Sequence, residues 1–325
     1  MINPIDPPTL ALEIDDLVDW LELTALFNAF GLARLDDLLG SLSELEETAE
    51  DNIGEHDRQR EQLIERIENE VEKRRYMLGE AYPFELTASG EELLRDDNWR
   101  DYKFAFYLIC LVTAHVTGSA ILRRPPVGEL LIRLRNDAFQ IIATLGLAGL
   151  SEGPAFSVGW PRKNGETIVQ LLTRAAAAGG GFSARNPPGP YVSPHEKDGG
   201  VDVIAWKAER MPPPTAFYFG QTASGKNWPD KPVAEYARVF AKAYMIDHMT
   251  GNLVYVTVIP YRVVNEAFWN TQHLFHMAIL DRLRLPLRAW QGAQLAAQGV
   301  LIDDADRLGD LIQWLEDFVT YAQAA

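Results

Sequence analysis

Asp198-Gly199-Gly200-Val201-Asp202-Val203-Ile204-Ala205-Trp206, followed by Phe217-Tyr218-Phe219-Gly220-Gln221, carries the strongest structural signal in this chain. Both runs are rich in β-branched and aromatic residues and predict strands over 201–207 and 216–221. Side chains alternate along a strand, so Asp202, Ile204 and Trp206 are expected on one face, and Phe217, Phe219 and Gln221 together on one face of the next. An antiparallel hairpin then sets Asp202 beside Gln221. A carboxylate and an amide oxygen form a hard-oxygen pair suited to Mg²⁺, which keeps several waters and takes few protein ligands. Such an ion stabilises charge on a phosphoryl group and lowers the pKa of a bound water. Lys226, a few residues further on, is placed to orient that water or to neutralise developing charge.

The pattern around the hairpin alternates between element types. A helix is predicted over 165–178, stopped by Gly179-Gly180-Gly181, and a Pro/Gly-rich loop over 185–200. A helix over 233–249 ends at Gly251, and a strand follows over 253–261, where Val254, Val256 and Val258 alternate with Tyr255 and Thr257. Helices near 265–283 and 305–321 close the chain.

Residues 164–228 resemble the Mrr-type restriction endonuclease group of the PD-(D/E)XK nuclease superfamily. The matching parts are Asn164-Gly165-Glu166-Thr167-Ile168-Val169 on a helix, the glycine stop with Phe182, the Asp198–Ile204 run and the Gln221 strand. The order helix, strands, helix, strand is also similar to that superfamily's core. The resemblance implies an α/β (α+β) fold in which an N-terminal helical region precedes a small mixed sheet flanked by helices. It implies an endonuclease that uses Mg²⁺ or Mn²⁺ to hydrolyse DNA, with Asp202 and Gln221 on the metal and Glu166 contributing to the site. By analogy with the superfamily, it further implies a part in prokaryotic restriction or phage defence. The family places a Lys two residues after the Gln, where this chain has Ala223. Lys226 is the displaced candidate and Lys231 another. The alternative is an inactive PD-(D/E)XK-fold protein that binds nucleic acid or acts as a scaffold.

The net charge of −16 is unevenly spread. Residues 1–150 hold 29 acidic and 14 basic residues, whereas 156–262 hold 8 and 12. A basic groove is thus permitted in the C-terminal half. The glycines clustered over 146–160 mark an expected boundary between an acidic helical domain, 1–150, and the nuclease-like domain, 151–325. In the first part, Leu12, Ile14, Leu17, Val18, Leu21, Leu26 and Phe27 recur at helical spacing, with Glu13, Asp15, Asp16 and Asp19 between them. A short helix is expected over 36–45. The polar helix expected over 56–77 has only a thin stripe of Leu63, Ile67 and Val71, which reads as an exposed arm for a protein partner or a second copy. Two further helices are expected near 101–122 and over 127–145.

The single cysteine, Cys110, excludes an internal disulfide framework, and with the lack of a signal peptide it fits a cytoplasmic protein. The uncharged run 104–122 is diluted by Thr113, His115, Thr117, Gly118 and Ser119, so a buried helix is expected and not a membrane span. Gly220, Gly225 and Lys226 nearly spell a phosphate-binding loop. Asn227 fills its Ser/Thr slot, however, and Pro229 and Pro232 delay the helix it needs. His273 and His276 share a helix face at i, i+3, and His195 sits in the loop before the hairpin; packing or solvated roles fit them better than a metal.

Overall fold

The computed structural model describes residues 4–9, 11–46, 53–159, 162, 165–190, 192, 199–247 and 250–324. His195 and Asp198 lie outside the described residues. In the first half the chain forms α1 (Ile14–Phe27), β1 (Leu32–Arg34), α2 (Leu35–Glu46), α3 (Ile53–Leu78), β2 (Phe84–Leu86), β3 (Glu92–Arg95), α4 (Tyr102–Ala114), α5 (Gly128–Arg133) and α6 (Phe139–Ser151). A π-helical turn, Leu134–Ala138, joins α5 to α6. The second half forms β4 (Ala155–Ser157), α7 (Ile168–Ala177), β5 (Ser183–Ala184), β6 (Val203–Trp206), β7 (Phe217–Thr222), α8 (Val233–Tyr244), β8 (Met245–Ile246), β9 (Leu253–Val258), α9 (Glu266–His276), β10 (Ala278–Leu280), α10 (Leu285–Ala297) and α11 (Leu308–Gln323).

Five strands make a mixed sheet in the order β10-β9-β7-β6-β4. The β4–β6 and β6–β7 pairs are antiparallel, and β7–β9 and β9–β10 are parallel. Both faces of β6 are buried, as its continuous apolar run requires. Ile204, Trp206, Phe217 and Phe219 pack against α7 and α8, whereas Val203 and Ala205 join the larger core beneath α6. Trp206 stacks between Phe156 and Phe217, at centroid distances of 5.3 and 6.0 Å.

Local chemistry explains where the helices start and how closely they pack. Thr167 and Gln170 form a reciprocal capping box that begins α7. Asp101 caps α4 by accepting from the Lys103 amide at 3.0 Å. α6 and α10 cross through glycines: a Cβ on Gly149 would stand 2.0 Å from the Arg288 carbonyl oxygen, and one on Gly292 would stand 2.0 Å from that of Leu145.

Several expectations change on contact with the fold. The first half is not wholly helical, since β1, β3 and β2 form a small antiparallel sheet. The predicted helix over 265–283 stops at His276; Met277 adopts a left-handed φ of 62°, β10 takes Ala278–Leu280, and a turn follows. α3 is not simply an exposed arm, because Ile67, Glu70, Val71 and Arg74 are buried. One apolar core runs from α1 to α11 across the expected boundary at 146–160. α4 ends at Ala114, and among the described residues no helix is long and apolar enough to cross a membrane.

Candidate functional site

Gly199 and Gly200 enter β6 with φ of 63° and 77°, a left-handed turn that L side chains resist. A Cβ on Gly200 would also stand 2.6 Å from the Tyr236 ring of α8. The turn delivers Asp202 to the open end of the hairpin. Val203 pairs with Gly220, Ile204 with Phe219 and Trp206 with Phe217. The Asp202 amide also donates to the Gly220 carbonyl, at 2.9 Å, so two residues of one strand face one of the other. That bulge-like step re-aims the Asp202 side chain. Its Oδ2 accepts from the Thr222 amide at 2.8 Å and the Thr222 hydroxyl at 2.9 Å. Strict alternation had placed it against Gln221, one residue earlier.

Gln221 does sit at the same end of the hairpin, and in the parallel β7–β9 ladder it stands beside Thr257. Its Oε1 is buried and has no hydrogen-bond partner among the described residues. A buried carbonyl oxygen without a donor is a costly arrangement that a cation or an ordered water relieves. Thr257 shares a 2.8 Å hydrogen bond with Nδ1 of His276, whose Nε2 faces the Pro229 carbonyl oxygen at 3.2 Å. Nε2 must donate there, so Nδ1 accepts from Thr257. His276 is therefore a packed structural residue, and burial lowers its pKa.

Gln140 of α6 supports the Asp202 backbone. Its Nε2 donates to the Asp202 carbonyl at 3.0 Å and to the Ser157 hydroxyl at 3.1 Å, and its Oε1 lies 3.4 Å from the Thr222 hydroxyl. Gln140 also lines a polar cleft of about 840 Å³ that contains Glu166. Glu166 precedes the cap of α7 and is committed to Arg174, with Nη2–Oε2 at 2.9 Å. Arg174 also binds Asp303, at 2.7 and 3.0 Å, and these carboxylates together hold its pKa well above the usual arginine value. Three arginines in the cleft, Arg162, Arg174 and Arg307, face Asp137, Glu166, Asp303 and Asp304. The cleft is therefore not the basic groove that the charge distribution allowed.

Lys226 is exposed and lines a different pocket, of about 280 Å³, together with Asp15, Asp16, Asp19, Tyr261, Arg262 and Arg282. Ala223, where the family places its Lys, is buried against Trp228, Ile259 and Ile279. Only a three-residue 3-10 turn, Trp228–Asp230, follows Lys226 before α8 starts at Val233, so the long helix that a nucleotide-binding loop leads into is missing there. Trp228 is buried as well, with its ring centroid 5.1 Å from that of His276.

Sequence reasoning missed a buried ionic cluster joining the two halves. Arg74 of α3 reaches Asp19 at 2.6 Å, Glu22 at 3.0 Å, Glu70 at 3.2 Å and Asp15. Arg282 holds both oxygens of Asp19 at 2.8 Å, and Arg262 binds Asp15 at 2.5 Å and Glu70. Tyr82 and Tyr107 each donate to Glu22 at 2.6 Å, and Nε2 of His115 lies 2.8 Å from Asp19. Burial would raise the carboxyl pKa values of Asp15 and Asp19, but Arg74 and Arg282 outweigh it and the net shift of both is downward. For Glu22 burial prevails over Arg74, and the shift is upward. A signal was present: Asp15, Asp19 and Glu22 fall at i, i+4 and i+7 of a helix whose other residues, Asp16 and Thr24 apart, are apolar, so the acidic stripe is flanked by core positions and buried with them.

Asp202 and Gln221 offer hard-oxygen donors of the kind a divalent ion takes, but the structure turns them apart: the Asp202 carboxylate meets the Thr222 side chain, and side chains alternate along β7, so Gln221 projects from the other face. Among the described residues no group of three or more His, Cys, Asp or Glu side chains is arranged to hold a metal. Comparison with family models, with curated proteins and with solved structures finds no match to this chain.

Proposed function

We propose that this chain is a Mg²⁺- or Mn²⁺-dependent nuclease that hydrolyses phosphodiester bonds of DNA, built on a PD-(D/E)XK-like core. The carrying observation is topological. The antiparallel meander β4-β6-β7 continues through α8 to the parallel strand β9, with Asp202 and Gln221 at the open end of its central hairpin. A mixed sheet flanked by helices supports this reading, as does the buried Gln221 Oε1 that no donor among the described residues satisfies.

In this reading Asp202 and Gln221 hold the ion, which when bound polarises the phosphodiester and lowers the pKa of an attacking water. Thr222 and Gln140 fix the Asp202 carboxylate and carbonyl. Glu166 is the acidic neighbour in the adjoining cleft, and Lys226 is the electrostatic helper on the loop after β7. A place in restriction or phage defence, and a partner or second copy on the N-terminal half, belong to the same proposal. Phe30 and Tyr76, 86% and 84% exposed, stand out most among the large hydrophobic side chains that half exposes.

A second reading has an observation in its favour: the buried Ala223, with Lys226 in another pocket, fits a core that binds without cutting. Calorimetric titration with Mg²⁺ separates the two before any substrate is known. Heat that disappears in Asp202→Ala supports the nuclease, and no heat from the wild type favours the binding protein.

A further inference from the structure

α4 ends at Ala114, and the chain turns back through Gly118 at a φ of 65°. That turn brings Ser119 onto the ring of His115, with Oγ 3.1 Å from Nδ1. The other ring nitrogen, Nε2, lies 2.8 Å from Oδ2 of Asp19 on α1. These three residues form one chain of hydrogen bonds, and its direction is fixed. Asp19 is gripped by Arg74 at 2.6 Å and by Arg282 at 2.8 Å, so its carboxylate is ionised and can only accept. In the neutral imidazole Nε2 must therefore carry the proton, and Nδ1 is left to accept from the Ser119 hydroxyl.

Ser119 is open to a ligand. It is half-buried and lines the pocket of about 280 Å³ together with Asp19 and His115. Asp15, Asp16 and Asp19 meet Lys226, Arg262 and Arg282 around that pocket, so its walls are close to neutral overall. Besides facing His115, Oγ accepts from the amides of Ile121 at 3.0 Å and Leu122 at 2.9 Å. Donors on that oxygen favour the negative charge left behind as its proton departs. A hydroxyl bonded to a base that a third group orients is the arrangement of an activated nucleophile.

We propose that Ser119 is a nucleophile with His115 as its general base, and that the pocket takes a small uncharged carboxylic ester. Oγ bonds to the carbonyl carbon as its proton passes to Nδ1 of His115. One of the two amide bonds to Oγ gives way as the new bond forms, and that amide is then a donor for the carbonyl oxygen. The ester C–O bond breaks, and the alcohol leaves with the proton from Nδ1. A water then adds to the acyl-serine and gives a proton to Nδ1, which returns it to Oγ as the carboxylic acid departs. Asp19 is a positioning residue that holds the imidazole through Nε2. Asp202 and Gln221 take no part, so this activity does not rest on the nuclease reading.

The test uses the full chain with a fluorophosphonate, which loses fluoride as its phosphorus bonds to an activated serine, and with p-nitrophenyl acetate. Peptide mass spectrometry of the labelled wild type should place the phosphonyl group on Ser119, a readout that needs no variant to fold. Labelling at that position should be absent in Ser119→Ala and slower by about a hundredfold or more in His115→Asn. Hydrolysis of the acetate should fall in both variants. Asp19→Asn turns an amide N–H towards Nε2 and should move the imidazole proton to Nδ1, seen in the chemical shifts of the ring nitrogens, which a loss of stability alone would not do. A wild type that stays unlabelled, or is labelled only elsewhere, overturns the proposal. Undiminished labelling of a folded His115→Asn overturns the role of His115, and an unmoved tautomer in Asp19→Asn overturns that of Asp19. Acetate turned over no faster by the wild type than by Ser119→Ala overturns the ester as substrate.

Discussion

Thr222 donates twice to one oxygen of Asp202, from its amide at 2.8 Å and from its hydroxyl at 2.9 Å. The amide bond ties the carboxylate to the backbone of β7, and the hydroxyl fixes its rotation. Partners that orient a metal ligand in this way commonly contribute to affinity about as much as a weak ligand does. Thr222→Val preserves shape and amide and removes only the hydroxyl. Its Mg²⁺ affinity by calorimetry should fall about tenfold with little change in fold; unchanged affinity would make the bond purely structural.

The buried cluster predicts a strong stability effect. Arg74→Met leaves Asp15, Asp19, Glu22 and Glu70 without their shared guanidinium. Stranded buried charges cost about 3–5 kcal/mol, which urea denaturation of the two proteins would show as a lowered midpoint.

The same cluster sets a pH dependence. The folded-state pKa values of Asp15 and Asp19 are depressed, so their contribution is present above the ordinary aspartate value of 3.8 and lost as pH falls towards the folded values. Glu22 is shifted upward and works in the opposite sense: its contribution is full at low pH and lost as pH rises through its folded value. Asp19→Asn removes an acid-sensitive contribution. Its stability should therefore fall less than that of the wild type between pH 5 and pH 3, from a lower starting value at neutral pH.

The α6–α10 crossing offers a test of packing. A methyl group at Gly149 or Gly292 would meet backbone atoms at 2.0 Å, and neither side can yield by a side-chain rotation. Gly149→Ala and Gly292→Ala should each cost about 1–3 kcal/mol, measured by thermal or urea unfolding. Gly40→Ala, where nothing lies within 4 Å, is the matched control.

Cys110 is fully buried in α4, and burial pushes its thiol pKa up to about 12. The folded protein should resist iodoacetamide at pH 8 and take up one equivalent once unfolded in urea. Rapid labelling of the native chain would contradict the packing of α4.

Much of the sheet was readable in advance because its strands are apolar and alternate cleanly. β6 and β9 fall within the predicted ranges, β7 runs one residue past its own, and α7 and α3 lie close to theirs, whereas α8 stops at Tyr244, where β8 takes over the predicted helix. Short elements escaped. β4 and β10 have three residues each, too few to show a period, and β10 hides behind a helix broken at Met277 without a glycine or proline to mark it. α10, for which no element was predicted, carries Pro286 in its first turn, where proline is well tolerated. The side-chain geometry of the site was less readable than the fold. Alternation alone set Asp202 against Gln221, and only the Asp202–Gly220 backbone bond turns its carboxylate to Thr222. Arg174 meets Glu166 only eight residues away, whereas the α1 residues that line a pocket with Lys226 are far from it in sequence, and no local pattern joins them.

Cleavage of plasmid and linear DNA, single- and double-stranded, with Mg²⁺ or Mn²⁺ tests the proposed activity itself. Wild type, Asp202→Ala and Gln221→Ala would be compared. Metal-dependent cleavage by the wild type, abolished in Asp202→Ala and strongly reduced in Gln221→Ala, is the predicted result. Cleavage that persists in Asp202→Ala, or a wild type that binds no metal and cuts no substrate, would contradict it.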